Sequence, residues 1–262
     1  MPRPIIYEKR EKLSELAGPL RDRGIDAEID VLSGTTPLQI TRLVSSGAHD
    51  LVVRGAKGRG SRRKQGVGTT AIRLLRECPY PVLLVAPGVS PSYSQVMACV
   101  DTSSDELVDA VLNDRVVTAA TRLIRCYQSQ LSIVHAWSIY GEEFLLMRTK
   151  DIHFQDLTAR VRNRSEEKFY EFLQAHGRIV SGQSAFIRKG RPAIRIPAFA
   201  TEKKVDWIVM GAISRSWLSG MLLGSTAERV LSQIGCSVLV IKPGSLVSPV
   251  NGSHVTRLKS VA

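Results

Sequence analysis

Residues 206–242 read DWIVMGAISRSWLSGMLLGSTAERVLSQIGCSVLVIK, and residues 50–86 read DLVVRGAKGRGSRRKQGVGTTAIRLLRECPYPVLLVA. At a constant offset of 156 (206 − 50) the two align without a gap. Asp50 meets Asp206, Gly55 meets Gly211, Gly68 meets Gly224, Thr69 meets Ser225, Thr70 meets Thr226, Ala71 meets Ala227 and Arg73 meets Arg229. The chain is therefore a tandem duplication, and self-similarity at a fixed period decides the fold before any single element does. Each copy opens on a short branched run (Leu51 to Val53; Ile208 to Met210) that suits a buried strand and is too short for a helix. A loop follows, then a helix from Thr69 or Ser225, whose hydroxyl is expected to cap free N–H groups. A second apolar run, Val82 to Ala86 or Val238 to Ile241, closes the unit as a strand. Strand, loop, helix and strand make half of a parallel α/β sheet.

Working outward, the second copy extends upstream. Gln95 to Asp101 reads as a strand ending in a polar turn, and Leu107 to Cys126 carries apolar residues at helical spacing. Leu131 to Trp137 reads as a strand, Asp156 to His176 as a charged amphipathic helix, Ser184 to Ile187 as a strand and Pro192 to Thr201 as a helix. In the first copy only the end of this string exists: Glu8 to Arg23 matches the second helix, Asp26 to Leu32 the third strand and Pro37 to Ser46 the third helix. The first two strands and the helix between them are absent. The expected organisation is an incomplete first domain over 1–90, a complete second domain over 91–245 and a flexible tail over 246–262. On this reading Met1 is not the natural start, or the chain is an authentic fragment; completion of the sheet by a second chain is the alternative. Arg54, just before Gly55, sets a charge at the end of a buried strand, where it needs a partner.

Composition bounds the function. Of 262 residues 44% are hydrophobic and 23% charged, as in a soluble globular protein long enough for two cores. No stretch reaches the roughly 18 apolar residues of a membrane span, and the N-terminus lacks the pattern of a signal peptide; the default location is cytoplasmic. Cys78, Cys99, Cys126 and Cys236 form no C-x-x-C pair, and those in apolar runs suit packing. The net charge of +12 invites a nucleic-acid reading, but the one dense cluster is Arg59, Arg62, Arg63 and Lys64, and aromatics are only 6%. Without a recognised motif or many stacking side chains, sequence-specific nucleic-acid binding is not supported. The five histidines form no zinc-type spacing, so no catalytic metal is expected. His135, without a paired carboxylate nearby in sequence, suits packing or a ligand edge better than a general base.

These residues resemble the universal stress protein family, whose nucleotide-binding members carry G-x-x-G-x9-G-[ST] after the fourth strand. Gly55, Gly58, Gly68 and Thr69 match every fixed position, while the second copy has Gly211, Ser214, Gly224 and Ser225. Asp101-Thr102-Ser103 resembles the family's D-G-S turn near the adenine. The resemblance implies an α/β fold of two tandem domains with parallel sheets in the order 3-2-1-4-5, the first lacking its first two strands. It implies final strands packed about a pseudo-twofold axis, giving an intramolecular pseudo-dimer, with a homodimer as a further possibility. It also implies an adenine-nucleotide site at Asp101, Thr102, Ala136, Gly211, Ile213, Ser214, Gly224, Ser225 and Thr226, with a first-copy loop at Gly55, Lys57, Gly58, Gly68, Thr69 and Thr70. Mg2+ would enter only with the nucleotide. The physics suits the residues, because glycines admit positive φ and close approach of phosphate, and a helix N-terminus offers free N–H groups. Ser214 adds a side chain where the motif has none. Trp217 and Leu218 either cover a ligand or pack on the neighbouring copy.

Three function classes follow. The leading one is a non-catalytic stress-response protein that binds ATP or a related nucleotide and acts through conformation or protein partners. The second is a weak ATP hydrolase, although G-x-x-x-x-G-K-[ST] is absent. The third is a ligand-free scaffold.

Overall fold

The computed structural model describes residues 3–47, 49–57, 66–88, 93–148, 151–176, 184–212 and 223–243. The described chain falls into two compact units, one up to residue 49 and one from residue 50 onward. In the first unit, α1 (Arg3–Arg21) is a charged helix carrying a Glu8–Lys12 pair at 2.6 Å. The chain turns at Gly24, whose φ of +77° needs a residue without Cβ, and the Arg21 guanidinium steadies the return by donating to the Ala27 carbonyl at 3.0 and 2.5 Å. α2 (Thr36–Ser46) follows, with Pro37 in its first turn. The strand expected over 26–32 is not formed; a single bridge residue, Leu32, is all that appears. A strand exists by pairing, and among the described residues of this unit there is no strand for it to pair with.

The second unit holds β1 (Val52–Gly55), α3 (Thr69–Glu77), β2 (Val82–Val85), β3 (Gln95–Val100), α4 (Leu107–Tyr127), β4 (Gln130–Trp137), α5 (Glu142–Arg148), α6 (Asp151–Ala175), β5 (Ala185–Lys189), α7 (Pro192–Glu202), β6 (Trp207–Gly211), α8 (Ser225–Gln233) and β7 (Ser237–Ile241). The strands form one sheet in the order β1-β2-β7-β6-β3-β4-β5. The second copy therefore has the expected order, β5-β4-β3-β6-β7 being 3-2-1-4-5. The compact units divide at 49/50, whereas the repeat boundary lies near residue 90, because β1 and β2 extend the second copy's sheet.

The seam between copies is the antiparallel pair β2–β7, with Val82 opposite Val240, Leu83 opposite Leu239 and Leu84 opposite Val238. Adding 156 carries Val82 to Val238, Leu83 to Leu239 and Leu84 to Val240, so the repeat operation maps the seam onto itself. The pseudo-twofold axis passes through the Leu83–Leu239 pair. This is the self-complementarity of an isologous dimer, written into one chain. Val82, Leu84, Val238 and Val240 are all but fully buried, each worth about 1.5–3 kcal/mol relative to exposure.

Away from the axis the symmetry is broken. Lys242, which stands where the first copy has Ala86, is fully buried and donates from Nζ to the Leu75 carbonyl in the last turn of α3 at 2.5 Å. A cation there meets the negative end of the helix. Burial nevertheless lowers its pKa to about 7. The carbonyl of Lys242 accepts from Arg115 Nη1 of α4 at 2.6 Å, tying the seam to the second copy's core. That core joins Val96, Ala98 and Val209 of the sheet to Leu112, Val116, Val117 and Ala120 of α4 and Phe169 of α6.

Candidate functional site

β3 and β6 run side by side, Cys99 opposite Met210. The chain leaves β3 for β4 on one side, and leaves β6 for β7 on the other. Their carboxyl ends thus flank a topological switch point, where open α/β sheets form a crevice for ligands. The turn after β3 is held by Asn113 of α4. Its Nδ2 donates to the Asp101 carbonyl at 2.8 Å and its Oδ1 accepts from the Asp101 N–H at 3.0 Å. The Asp101 carboxylate accepts from the Ser103 N–H at 3.0 Å and the Ser103 hydroxyl at 2.5 Å, closing an Asx turn. Lys168 of α6 donates to the Ser103 carbonyl at 3.4 Å and pairs with Asp105. Inside this clamped turn Thr102 is 7% exposed, and its Oγ1 has no hydrogen-bond partner among the described residues.

On the β6 side Gly211 ends the strand and Gly224 is the N-cap of α8. Glu228 N–H reaches the Gly224 carbonyl at 3.1 Å, so the three N–H groups before it are those that an α-helix leaves without an intrahelical partner. They carry the positive end of the helix dipole. Glu228 opposes that field, and Arg76 of α3 offsets it at 2.6 Å. Ala136 lies one residue beyond the β3–β4 register pair Val100–His135, level with Asp101. His135 itself is buried, with Nδ1 3.3 Å from the Val100 carbonyl and Nε2 2.9 Å from Ser165 Oγ. Burial holds its pKa below the ordinary imidazole value, so it braces β4 against β3 and α6.

The structure thus brings Asp101, Thr102, Ala136, Gly211, Gly224, Ser225 and Thr226 to one edge of the sheet. Ile213, Ser214, Trp217 and Leu218 lie outside the described residues, as do Gly58, the basic cluster Arg59 to Lys64 and the tail after Pro243. The first-copy loop has a different setting. Gly55, Lys57, Gly68, Thr69 and Thr70 follow the end strand β1, so among the described residues no second strand end walls a crevice beside them.

Two expectations about the loops change. Thr69 and Ser225 are first helical residues, not caps; the caps are Gly68 and Gly224, with no side-chain cap bond. Neither Gly55, Gly68, Gly211 nor Gly224 has positive φ. At Gly211 the missing Cβ is used by α4, since a Cβ there would lie 2.3 Å from Leu112 Cδ2. At Gly55, among the described residues, it would meet only the Lys57 carbonyl at 3.4 Å. Positive φ falls instead on Gly66, where a Cβ would lie 2.6 Å from the Ser232 carbonyl of α8.

Asn113 was not anticipated. Its signal is a polar residue on the apolar stripe 113, 116, 117 and 120 of α4, where burial demands partners. Among the described residues there is no group of three or more His, Cys, Asp or Glu able to hold a metal, and no helix long and apolar enough to cross a membrane. Burial raises the pKa of the Cys78, Cys99 and Cys236 thiols, Cys236 to about 12, whereas Cys126 is exposed. A pocket of about 370 Å3 lined by Thr201, Lys204, Asp206 and Cys236 lies at the opposite edge of the sheet, where Asp206 is occupied by the N–H groups of Ser94 and Gln95.

A duplicated α/β chain with a self-complementary seam, and with Gly211 and Gly224 on the β6 side of its switch point, defines a tandem α/β protein with a candidate ligand crevice. The model of the Universal stress protein family matches residues 4–86 and 92–242, most of the chain, and the chain belongs to that family. It is 25% identical over 248 residues to universal stress protein E of Escherichia coli K12, covering 94% of this chain and 78% of that protein. Universal stress protein MJ0531 of Methanocaldococcus jannaschii is 50% identical over 54 residues, 21% of this chain and 32% of its own. Among solved structures, a functionally unknown protein, PA1789 of Pseudomonas aeruginosa PAO1, superposes with a TM-score of 0.72 at 23% identity, covering 89% of this chain and 78% of its own. A universal stress protein from Archaeoglobus fulgidus superposes with a TM-score of 0.60 at 23% identity, covering 92% and 80%.

Proposed function

We propose that the second copy binds ATP or a related adenine nucleotide at the β3–β6 crevice and that the protein acts without catalysis, through conformation or partner choice. The observation that carries this reading is Thr102, a buried hydroxyl without a partner among the described residues, in a turn whose backbone is clamped by Asn113. An unpaired buried hydroxyl costs about 1–3 kcal/mol unless a ligand satisfies it. The N–H groups of Ser225, Thr226 and Ala227 are suited to phosphate oxygens, with Mg2+ entering only as the nucleotide's counterion. Asp101, Thr102 and Ala136 are assigned to the nucleoside end. His135, buried and engaged at both ring nitrogens, favours binding over proton transfer. The first-copy loop is assigned no nucleotide of its own.

The test is calorimetric titration of the chain with ATP, ADP and AMP. Saturable binding is expected, weakened about 2–13-fold by Thr102→Val, the equivalent of one neutral hydrogen bond. Absence of heat with all three at millimolar concentration would overturn the reading.

A further inference from the structure

The first turn of α8 carries a charge that does not suit an anion. Glu228 lies there, and helical side chains tilt toward the N-terminus, so its carboxylate is carried back toward the N–H groups of Ser225, Thr226 and Ala227. The compensation comes from the other copy. Arg76, in the last turn of α3, donates from Nε to Glu228 Oε1 at 2.6 Å. Only Nε is engaged. Among the described residues neither outer guanidinium nitrogen has a partner, and the Arg76 side chain stays 43% exposed.

The seam holds this arginine in place. Lys242 Nζ donates to the carbonyl of Leu75, the residue before Arg76. Lys242 follows Ile241, which pairs with Gly211 at the end of β6 and whose carbonyl accepts the Ala212 N–H. A chain of bonds thus runs from the exit of β6 through β7 to the backbone beside Arg76, and from its side chain back to the first turn of α8. The arrangement is not a by-product of the repeat. Adding 156 to Arg76 gives Ser232, and subtracting 156 from Glu228 gives Ile72. The reciprocal place beside α3 therefore has neither charge, and it belongs to the first-copy loop, which is assigned no nucleotide.

We propose that Arg76 is a nucleotide ligand supplied by the first copy: Nε stays on Glu228 while the two outer nitrogens clasp the terminal phosphate of a nucleoside triphosphate held at α8. A guanidinium presents parallel donors that match two phosphate oxygens. This role rests on the nucleotide reading above and adds regulation to it, because a triphosphate engages the seam between the copies and a monophosphate does not.

The test is calorimetric titration of ATP and AMP into the full chain, as wild type, Glu228→Gln and the double variant Glu228→Gln with Arg76→Ala. Wild type should hold ATP about 10-fold more tightly than AMP, the low end for a hydrogen bond to a charged group, as suits a part-exposed guanidinium. Adding Arg76→Ala to Glu228→Gln should weaken ATP by the same factor of about 10 and AMP by less than about 2. Unchanged ATP affinity on that step would overturn the proposal, since Arg76 would then act only by neutralising Glu228. Equal losses for ATP and AMP would overturn it too. The pair is part-exposed, so the variants should melt within a few degrees of wild type. Should the double variant unfold, Arg76→Lys in the Glu228→Gln chain, which keeps the charge and loses the fork, decides by the same ATP-to-AMP comparison. A wild type that binds AMP as tightly as ATP overturns this role alone; one that binds neither overturns the nucleotide reading and the role with it.

Discussion

Substituting alanine for the two equivalent glycines, Gly211 and Gly55, separates packing from ligand approach. Both have backbones open to any residue, so alanine at either lowers unfolded-chain entropy and stabilises by about 0.4–1 kcal/mol. The folded states differ. At Gly211 the new Cβ lies 2.3 Å from Leu112 Cδ2 and 2.7 Å from Cγ, and Leu112 is 6% exposed within the core of α4. Leu112 must leave its rotamer or α4 must shift, a change that costs about 1–3 kcal/mol. At Gly55 the nearest atom among the described residues is at 3.4 Å, and none of those residues has to move. The entropy gain is common to both, so Gly211→Ala should be less stable than Gly55→Ala by about 1–3 kcal/mol, the overpacking cost alone. Urea denaturation at equal m-values reads the difference. Equal stabilities within about 0.5 kcal/mol would refute the packing role. Full stability of Gly211→Ala with loss of nucleotide binding would reassign the glycine to the ligand.

Lys242→Met should change how stability varies with pH. The folded pKa is lowered from 10.5 to about 7 by burial, so above pH 7 the unfolded chain holds the proton longer and wild-type stability rises with pH. The slope approaches about 1.4 kcal/mol per unit between pH 7 and 8.5 and should be missing from the variant in denaturation curves. His135 has a depressed pKa through burial. Its contribution is present above the unfolded value near 6.5 and lost as pH falls below it, a loss that His135→Gln should reduce in acid titrations. Asn113→Leu removes both bonds to the Asp101 backbone and should cost about 1–3 kcal/mol by thermal unfolding, with weakened nucleotide binding. Arg76→Ala breaks a pair whose partners are 43% and 30% exposed and should cost under about 1 kcal/mol in the same assay.

What was legible in the sequence was what periodicity and repetition write locally. The run 208–210 and the glycine–hydroxyl step at 224–225 announced β6 and α8, and the family resemblance implied final strands packed about a pseudo-twofold axis. Strand 26–32 misled because its branched residues carry β propensity, yet among the described residues only Leu32 makes a bridge. α5 was missed because seven residues are too few to show a helical period. The packing contact of Gly211 was not legible for a tertiary reason: Gly211 and Gly55 are identical in sequence, and only the position of Leu112 tells them apart. The same holds for Thr102, whose hydroxyl, without a partner among the described residues, becomes informative only once the turn around it is closed.

The central claim is that the second copy holds an adenine nucleotide. The most direct test is to purify the chain natively, denature it and identify released small molecules by chromatography and mass spectrometry. The account predicts about one equivalent of an adenine nucleotide per chain, reduced in Thr102→Val and Gly224→Val but not in Gly55→Ala. A chain that releases none, and takes up none when incubated with ATP, contradicts it and leaves the crevice a feature of packing.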